Sequence, residues 1–286
     1  FLFLAGSGLA KKKISKIKKA LGKKTSVESP EASPGKKKKK TKKKAVASKA
    51  AADEGKAARA PATASKEGDA PPQHHASSGQ KALREVADEE LERTLVDHRE
   101  WIVSKSKEGK RAELGKCNLR EKYLQGALLR GADLRDANLQ KAELQNVDFF
   151  LADLREIDLL EATLQKAILK RAKMDGASLV GANLEQADFE EAAMEGADLR
   201  EADLREGNLQ RTNLKRANLT GANLFMAEMQ EAQLQGARLN NADLKGADLS
   251  DANLEGARMQ GVKLQGAELM GTNLKGADLL DAEGLT

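Results

Sequence analysis

Ala197-Asp198-Leu199-Arg200-Glu201 is followed at once by Ala202-Asp203-Leu204-Arg205-Glu206, and this doubled sentence decides the fold. Reading outward from it in steps of five, an apolar residue returns without a slip from Leu114 to Leu279, giving 34 units in a chain of 286 residues. It is Leu in 28 units and Phe149, Met174, Phe189, Met194, Met229 or Met259 in the others. Two residues earlier stands Ala in 26 units, the departures being Cys117, Lys122, Val147, Ile157, Gly207, Thr212, Val262 and Thr272. A period this strict outweighs any local propensity.

A period of five excludes the ordinary elements. On an α-helix, at about 100° per residue, each Leu would land about 140° round from the last, and no apolar face would form. On a straight strand an odd period throws successive Leu residues to opposite faces. What survives is a short extended piece in which Ala and Leu, two apart, point inward while the residue between points outward, followed by two residues that turn a corner. Such a chain winds, and each coil stacks on the one before as a solenoid.

Units such as Ala132-Asp133-Leu134, Ala197-Asp198-Leu199-Arg200-Glu201 and Ala242-Asp243-Leu244-Lys245-Gly246 resemble the A(D/N)LXX sentence of pentapeptide repeat proteins. The resemblance covers residues 112–281. It implies an all-β fold, a right-handed quadrilateral β-helix with four units per coil. Residues twenty apart would then stack at ~4.8 Å, and the rod would be roughly 40 Å long.

Charge divides the chain. Residues 112–281 carry 21 basic and 29 acidic residues, whereas residues 1–111 carry 28 basic and 14 acidic. With one Trp and one Tyr, a mixed globular core is not expected, and a Leu and Ala ladder needs no rings. Residues 1–80 read as a disordered Lys- and Ala-rich basic tail and linker. Its runs Lys36, Lys37, Lys38, Lys39, Lys40 and Lys42, Lys43, Lys44 suit electrostatic contact with nucleic acid or an anionic membrane, the alternative being a solvated spacer. No aromatic residue interleaves these lysines, so base stacking is not expected.

Residues 1–10 are apolar but short of the ~20 a membrane span needs. As the end of a longer apolar segment they would place the lysines from Lys11 on the cytoplasmic side. Between Lys11 and Lys24, Ile14, Ile17 and Leu21 form one helical stripe against five lysines, suited to an anionic surface. The expected location is cytoplasmic, with membrane association through the N-terminus left open.

Residues 81–111 read as an amphipathic helix and lead-in. Leu91, Leu95, His98 and Ile102 predict a helix over about 81–104, with Asp88, Glu89 and Glu90 in its first half and Lys105 and Lys107 at its end. The segment from His98 to Ser104, with Gly109-Lys110-Arg111-Ala112, also resembles the lead-in before the first repeats of bacterial pentapeptide repeat proteins. A solenoid must cover its open end, and this helix is the expected cap over the repeats of residues 112–286. His98 and Trp101 are expected to pack in it.

Stacking residues twenty apart defines four faces, through Leu114, Leu119, Leu124 and Leu129. The first three carry mixed Asp, Asn and basic residues ahead of the central Leu. The fourth reads Leu128, Asp148, Ile168, Asp188, Asn208, Glu228, Asp248, Glu268. Asp148, Asp188, Glu228, Asp248 and Glu268 form a candidate acidic strip for a basic partner, the bland alternative being an Asp-rich consensus relieved by Arg171 and Arg211. On the same face Leu128, Phe150, Leu151 and Ile168 fall at outward positions and are the candidate partner-binding patch. Leu160 with Val180, and Phe225 with Met226, are smaller apolar features.

Residues for chemistry are scarce. Two of the three histidines are His74 and His75 in the tail, the single Cys117 sits at an inward position, and the glycines recur at corners. No cofactor, metal site or enzymatic activity is expected. One Cys suits a reducing compartment. Two functions are expected in turn: a scaffold for protein partners, tethered by the basic tail, or an imitation of duplex DNA that binds a type II topoisomerase. The second follows from the resemblance alone and is weakened by Arg135, Arg155, Lys170, Arg171, Arg200, Arg205, Lys215 and Arg216. The last coil is a candidate homodimer contact.

Overall fold

A computed structural model describes residues 82–285. The expectations for residues 1–80, including the lysine runs from Lys36 to Lys44, lie outside these residues. Within them the ladder is uniform. Glu113 bridges Asp133 in parallel, Asn118 bridges Asn138, and the pattern continues in steps of five to Lys263 with Glu283. Every partner lies twenty residues on, so four units close one coil and the described repeats form a four-sided β-solenoid.

The hydrogen bonds explain the period. An inward Leu donates its N–H to the next coil and the outward residue there donates back, as in Leu134 N–H to the Asp153 carbonyl at 2.8 Å and Asp153 N–H to the Ala132 carbonyl at 2.9 Å. Between units the chain turns, with Ala137 N–H bonding the Leu134 carbonyl at 3.1 Å. The third residue of that turn takes a positive φ, 57° at Asp136 and 56° at Lys141. This is the type II turn, which ordinarily selects Gly or Asn. Here Glu, Arg, Lys and Asp occupy the left-handed corner as readily as Gly, at roughly 1–2 kcal/mol each. The corner N–H is part of the ladder, as in Asp136 N–H to the Arg155 carbonyl at 3.0 Å, so turn and stacking hold each other in place.

Inside, the Leu and Ala positions fill the rod. Phe149 and Phe189 are fully buried on the inner side of the fourth face, and Cys117 is fully buried in the first coil. In the last coil Leu269, Leu274 and Leu279 are only partly buried.

The cap differs from the sequence expectation. Its helix, α1, spans Asp88–Val103 rather than 81–104. Ahead of it, β1 (Arg84–Glu85) pairs in parallel with β2 (Cys117–Asn118), so a strand as well as a helix covers the first coil. Two residues carry no periodicity to read. Val86, between them, and Leu91 join the core, and Leu95 packs against it. Asp88, Glu89 and Glu90 lie in the first turn, but the last turn has no basic residue. Lys105 and Lys107 fall beyond the C-cap Ser104, because the chain turns left-handed at Lys105 and Ser106. Gly109 is required where it stands. Its φ is 75°, and an added Cβ would lie 2.1 Å from the Asp97 carbonyl oxygen of α1.

Candidate interaction surface

The fourth face divides into two halves. Its ladder runs Leu128, Asp148, Ile168, Asp188, Asn208, Glu228, Asp248, Glu268, in the predicted register. In the N-terminal half Leu128, Leu151 and Ile168 are 37%, 54% and 40% exposed. Asp148 stands between Leu128 and Ile168, so these side chains share a face without forming one unbroken stripe. Phe150 is half-buried: the Arg130 guanidinium lies 4.8 Å over its ring centroid, and its N–H donates to Asp148 Oδ1 at 3.0 Å. With Lys170, Arg171, Glu190 and Glu191, Phe150 lines a shallow groove of about 180 Å³.

The charges around this groove close on one another. Lys170 Nζ lies 3.0 Å from Asp188 and 2.9 Å from Glu190. Arg171 Nε lies 2.6 Å from Glu191, and Arg211 pairs with Glu190 and, at 3.5 Å, with Glu191. The hydrogen bond with Glu190 raises the Lys170 ammonium above its ordinary value, and Lys170 in turn holds the Glu190 carboxyl down. Arg171 does the same to Glu191. Arg171 and Arg211 therefore do not relieve the acidic strip, contrary to the sequence expectation. They stand at the same corner as Glu191 on its neighbouring coils and are held there, and the cations that reach the strip are Lys170 and, at 3.6 Å from Asp148, Arg130.

The C-terminal half is different. Glu228, Asp248 and Glu268 follow one another on adjacent coils, Glu231 and Asp251 occupy the next corners, and the residues between are Gln230 and Ser250. Among the described residues none of these five carboxylates has an ion pair. Amides serve instead: Gln210 Nε2 donates to Glu228 at 2.7 Å and Gln230 Nε2 to Asp248 at 2.5 Å. Burial pushes the Asp248 carboxyl up, but hydrogen bonds from Ser250 and Gln230 outweigh it and leave the group below its usual range.

One motif was missed in the sequence. In Asp-Leu-Arg units both polar residues point outward on one side, and the Arg folds back on its own Asp. Arg135 Nη2 lies 2.5 Å from Asp133, and Arg155, Arg200 and Arg205 each lie 2.7 Å from Asp153, Asp198 and Asp203. The side-chain hydrogen bond from Arg135 holds the Asp133 carboxyl down. Elsewhere Leu160 and Val180 are half-buried on the second face, and Phe225 and Met226 are exposed at a corner of the third.

Cys117 lies under β1, with Arg84 Nη2 donating to its sulfur at 3.2 Å, and burial pushes its thiol up. Among the described residues no group of His, Cys, Asp and Glu could hold a metal ion, and no helix is long and apolar enough to cross a membrane.

A solenoid of five-residue units with left-handed corners defines a class of repeat protein, and the comparisons identify it. Two family models match: "Pentapeptide repeats", in 8 copies over residues 112–149, 227–266 and 256–283, and "Pentapeptide repeat region" over residues 142–219. The chain belongs to the pentapeptide repeat family. Proteins of this family fold as right-handed quadrilateral β-helices. Similar solved structures include HetL from the cyanobacterium Nostoc sp. strain PCC 7120, involved in heterocyst differentiation regulation. Its identity is 36%, over 58% of this chain and 89% of that one, with a TM-score of 0.25. QnrB1, a plasmid-mediated fluoroquinolone resistance protein, is 20% identical over 58% of this chain and 86% of that one, with a TM-score of 0.47. A pentapeptide repeat protein of the Arabidopsis thaliana thylakoid lumen is 33% identical over 39% and 68%, with a TM-score of 0.16. No curated protein matches the chain.

Proposed function

We propose that this chain is a non-enzymatic scaffold, a right-handed four-sided rod that presents the N-terminal half of its fourth face to a protein partner. The observation that carries this reading is the exposure of Leu128, Leu151 and Ile168 beside an ion lattice already satisfied within the chain. Apolar groups gain from being covered, and charges paired at home need not be desolvated alone when a partner covers them. The tail lysines from Lys36 to Lys44 act in this reading as a salt-sensitive tether to anionic lipid or nucleic acid in the cytoplasm.

A second reading, imitation of duplex DNA toward a type II topoisomerase, is favoured by the bare carboxylates of the C-terminal half. It also gains from the pairing of Arg135, Arg155, Arg200 and Arg205 with their own Asp residues.

One experiment separates the two. The full chain and two triple variants are used as bait in a lysate and added to a supercoiling assay: Leu128→Ser with Leu151→Ser and Ile168→Ser, and Glu228→Gln with Asp248→Asn and Glu268→Gln. The scaffold reading expects a captured protein that only the first variant loses. Inhibition of supercoiling lost only in the second variant favours the topoisomerase reading, and unchanged capture by both variants removes the fourth face from consideration.

A further inference from the structure

His98 is the one histidine among the described residues, and neither functional reading uses it. It is fully buried between α1 and the first coil. Its Nδ1 accepts a hydrogen bond from Ala112 N–H at 3.0 Å, and Ala112 is the residue on which the first repeat begins. Its ring stacks on Trp101 at 5.4 Å between centroids with 13° between planes. Nε2 is buried without a hydrogen-bond partner.

This arrangement accepts only the neutral ring. A proton on Nδ1 would set N–H against N–H at 3.0 Å, removing the buried bond that, beside the exposed Lys122–Asp88 pair, docks α1 on the repeats. The groups that face the ring are Trp101 on its own helix, Arg111 and the Lys110 backbone on the lead-in, Ala112 N–H, and the Arg130 backbone on the first coil. Burial lowers the imidazole below its ordinary value and the Arg111 charge adds to this, while the Arg130 and Lys110 backbones oppose it. Among the described residues no carboxylate shifts it.

We propose that α1 is an acid-released lid, unlatched from the first coil when His98 takes a proton. Val86 ties β1 to α1 and is buried in the same core, so the two leave together and uncover Leu114, Leu119, Leu124 and the Cys117 sulfur.

The sign follows from linkage. The unfastened lid binds the proton at the ordinary value near 6.5 and the fastened lid binds it only at lower pH. The latch is therefore whole above that value and weakens as pH falls below it, the open fraction rising ~10-fold per pH unit until the fastened form titrates too.

Cys117 is the single cysteine of the chain and a direct reporter. The full chain is labelled with a dithiodipyridine, which reacts in acid, and each rate is divided by that of the urea-unfolded chain at the same pH. The expected ratio is flat above about pH 7 and rises ~10-fold per unit below 6.5, whereas His98→Gln, whose amide oxygen can still accept from Ala112, loses the dependence. A ratio flat throughout, or His98→Gln behaving as wild type, overturns the proposal. Should His98→Gln label fast at every pH, wild-type NMR decides. A His98 transition shared with the amides of residues 88–103 sustains the lid, and titration of His98 without them overturns it.

Discussion

The two halves of the fourth face share one ladder, one register and one core, and they spend their charges in opposite ways. In the N-terminal half Arg130, Lys170, Arg171 and Arg211 meet Asp148, Asp188, Glu190 and Glu191, and the surface left over is apolar. In the C-terminal half none of Glu228, Glu231, Asp248, Asp251 and Glu268 has an ion pair among the described residues, and Glu228 and Asp248 accept instead from the Gln210 and Gln230 amides. Because the backbone is the same in both, the difference belongs to outward side chains alone. A solenoid built this way separates folding from display: the inward positions set the rod, and each outward column can be rewritten without consulting it.

The largest test of that separation goes through the core. Phe149→Ala, beneath the apolar half, is expected to cost ~3–5 kcal/mol in urea unfolding, and Met229→Ala, beneath the acidic half, ~2–5 kcal/mol. Hydrogen exchange should place each loss in the coils around the substitution. If either variant loosens all coils equally, the halves are one cooperative unit and the comparison fails.

Acid comes next. The Glu190 and Glu191 carboxyls are held low by Lys170 and Arg171, so the unfolded chain takes up protons before the folded one does. Their stabilisation is complete above the ordinary carboxylate value and lost as pH falls through the folded values, from about pH 4 downward. Amides of the N-terminal half should lose protection first between about pH 5 and pH 3. Equal loss in both halves would mean that the ion lattice does not stabilise the fold.

The smallest effect is a single charge. Glu268→Lys replaces a repulsive neighbour of Asp248 by an attractive one and should add ~0.5 kcal/mol at low salt and nothing near 1 M salt, read by urea melts. A gain that survives salt would have a different origin.

Much of this face was legible in the sequence. A repeat without a slip fixes which residues lie twenty apart, so the column from Leu128 to Glu268 could be written down before any geometry was known. What the repeat could not show is where long side chains go. Arg171 and Arg211 were expected to relieve the strip and instead reach along their own corner to Glu191, a matter of rotamers rather than register. Phe150 was expected outside and is half-covered by Arg130. β1 escaped notice because two residues have no period, and the Asp-Leu-Arg pairing because each triplet reads simply as consensus.

The left-handed corner has a consequence for how such a gene can change. Since each unit hands on its direction through one corner of fixed geometry, adding or deleting a single codon between corners would turn every later Leu out of the interior. Five codons restore the interior but move all downstream display by a quarter-turn. Only steps of twenty return each column to its own side, so viable length variants of this rod should differ by multiples of twenty residues, and duplications in its history should be whole coils.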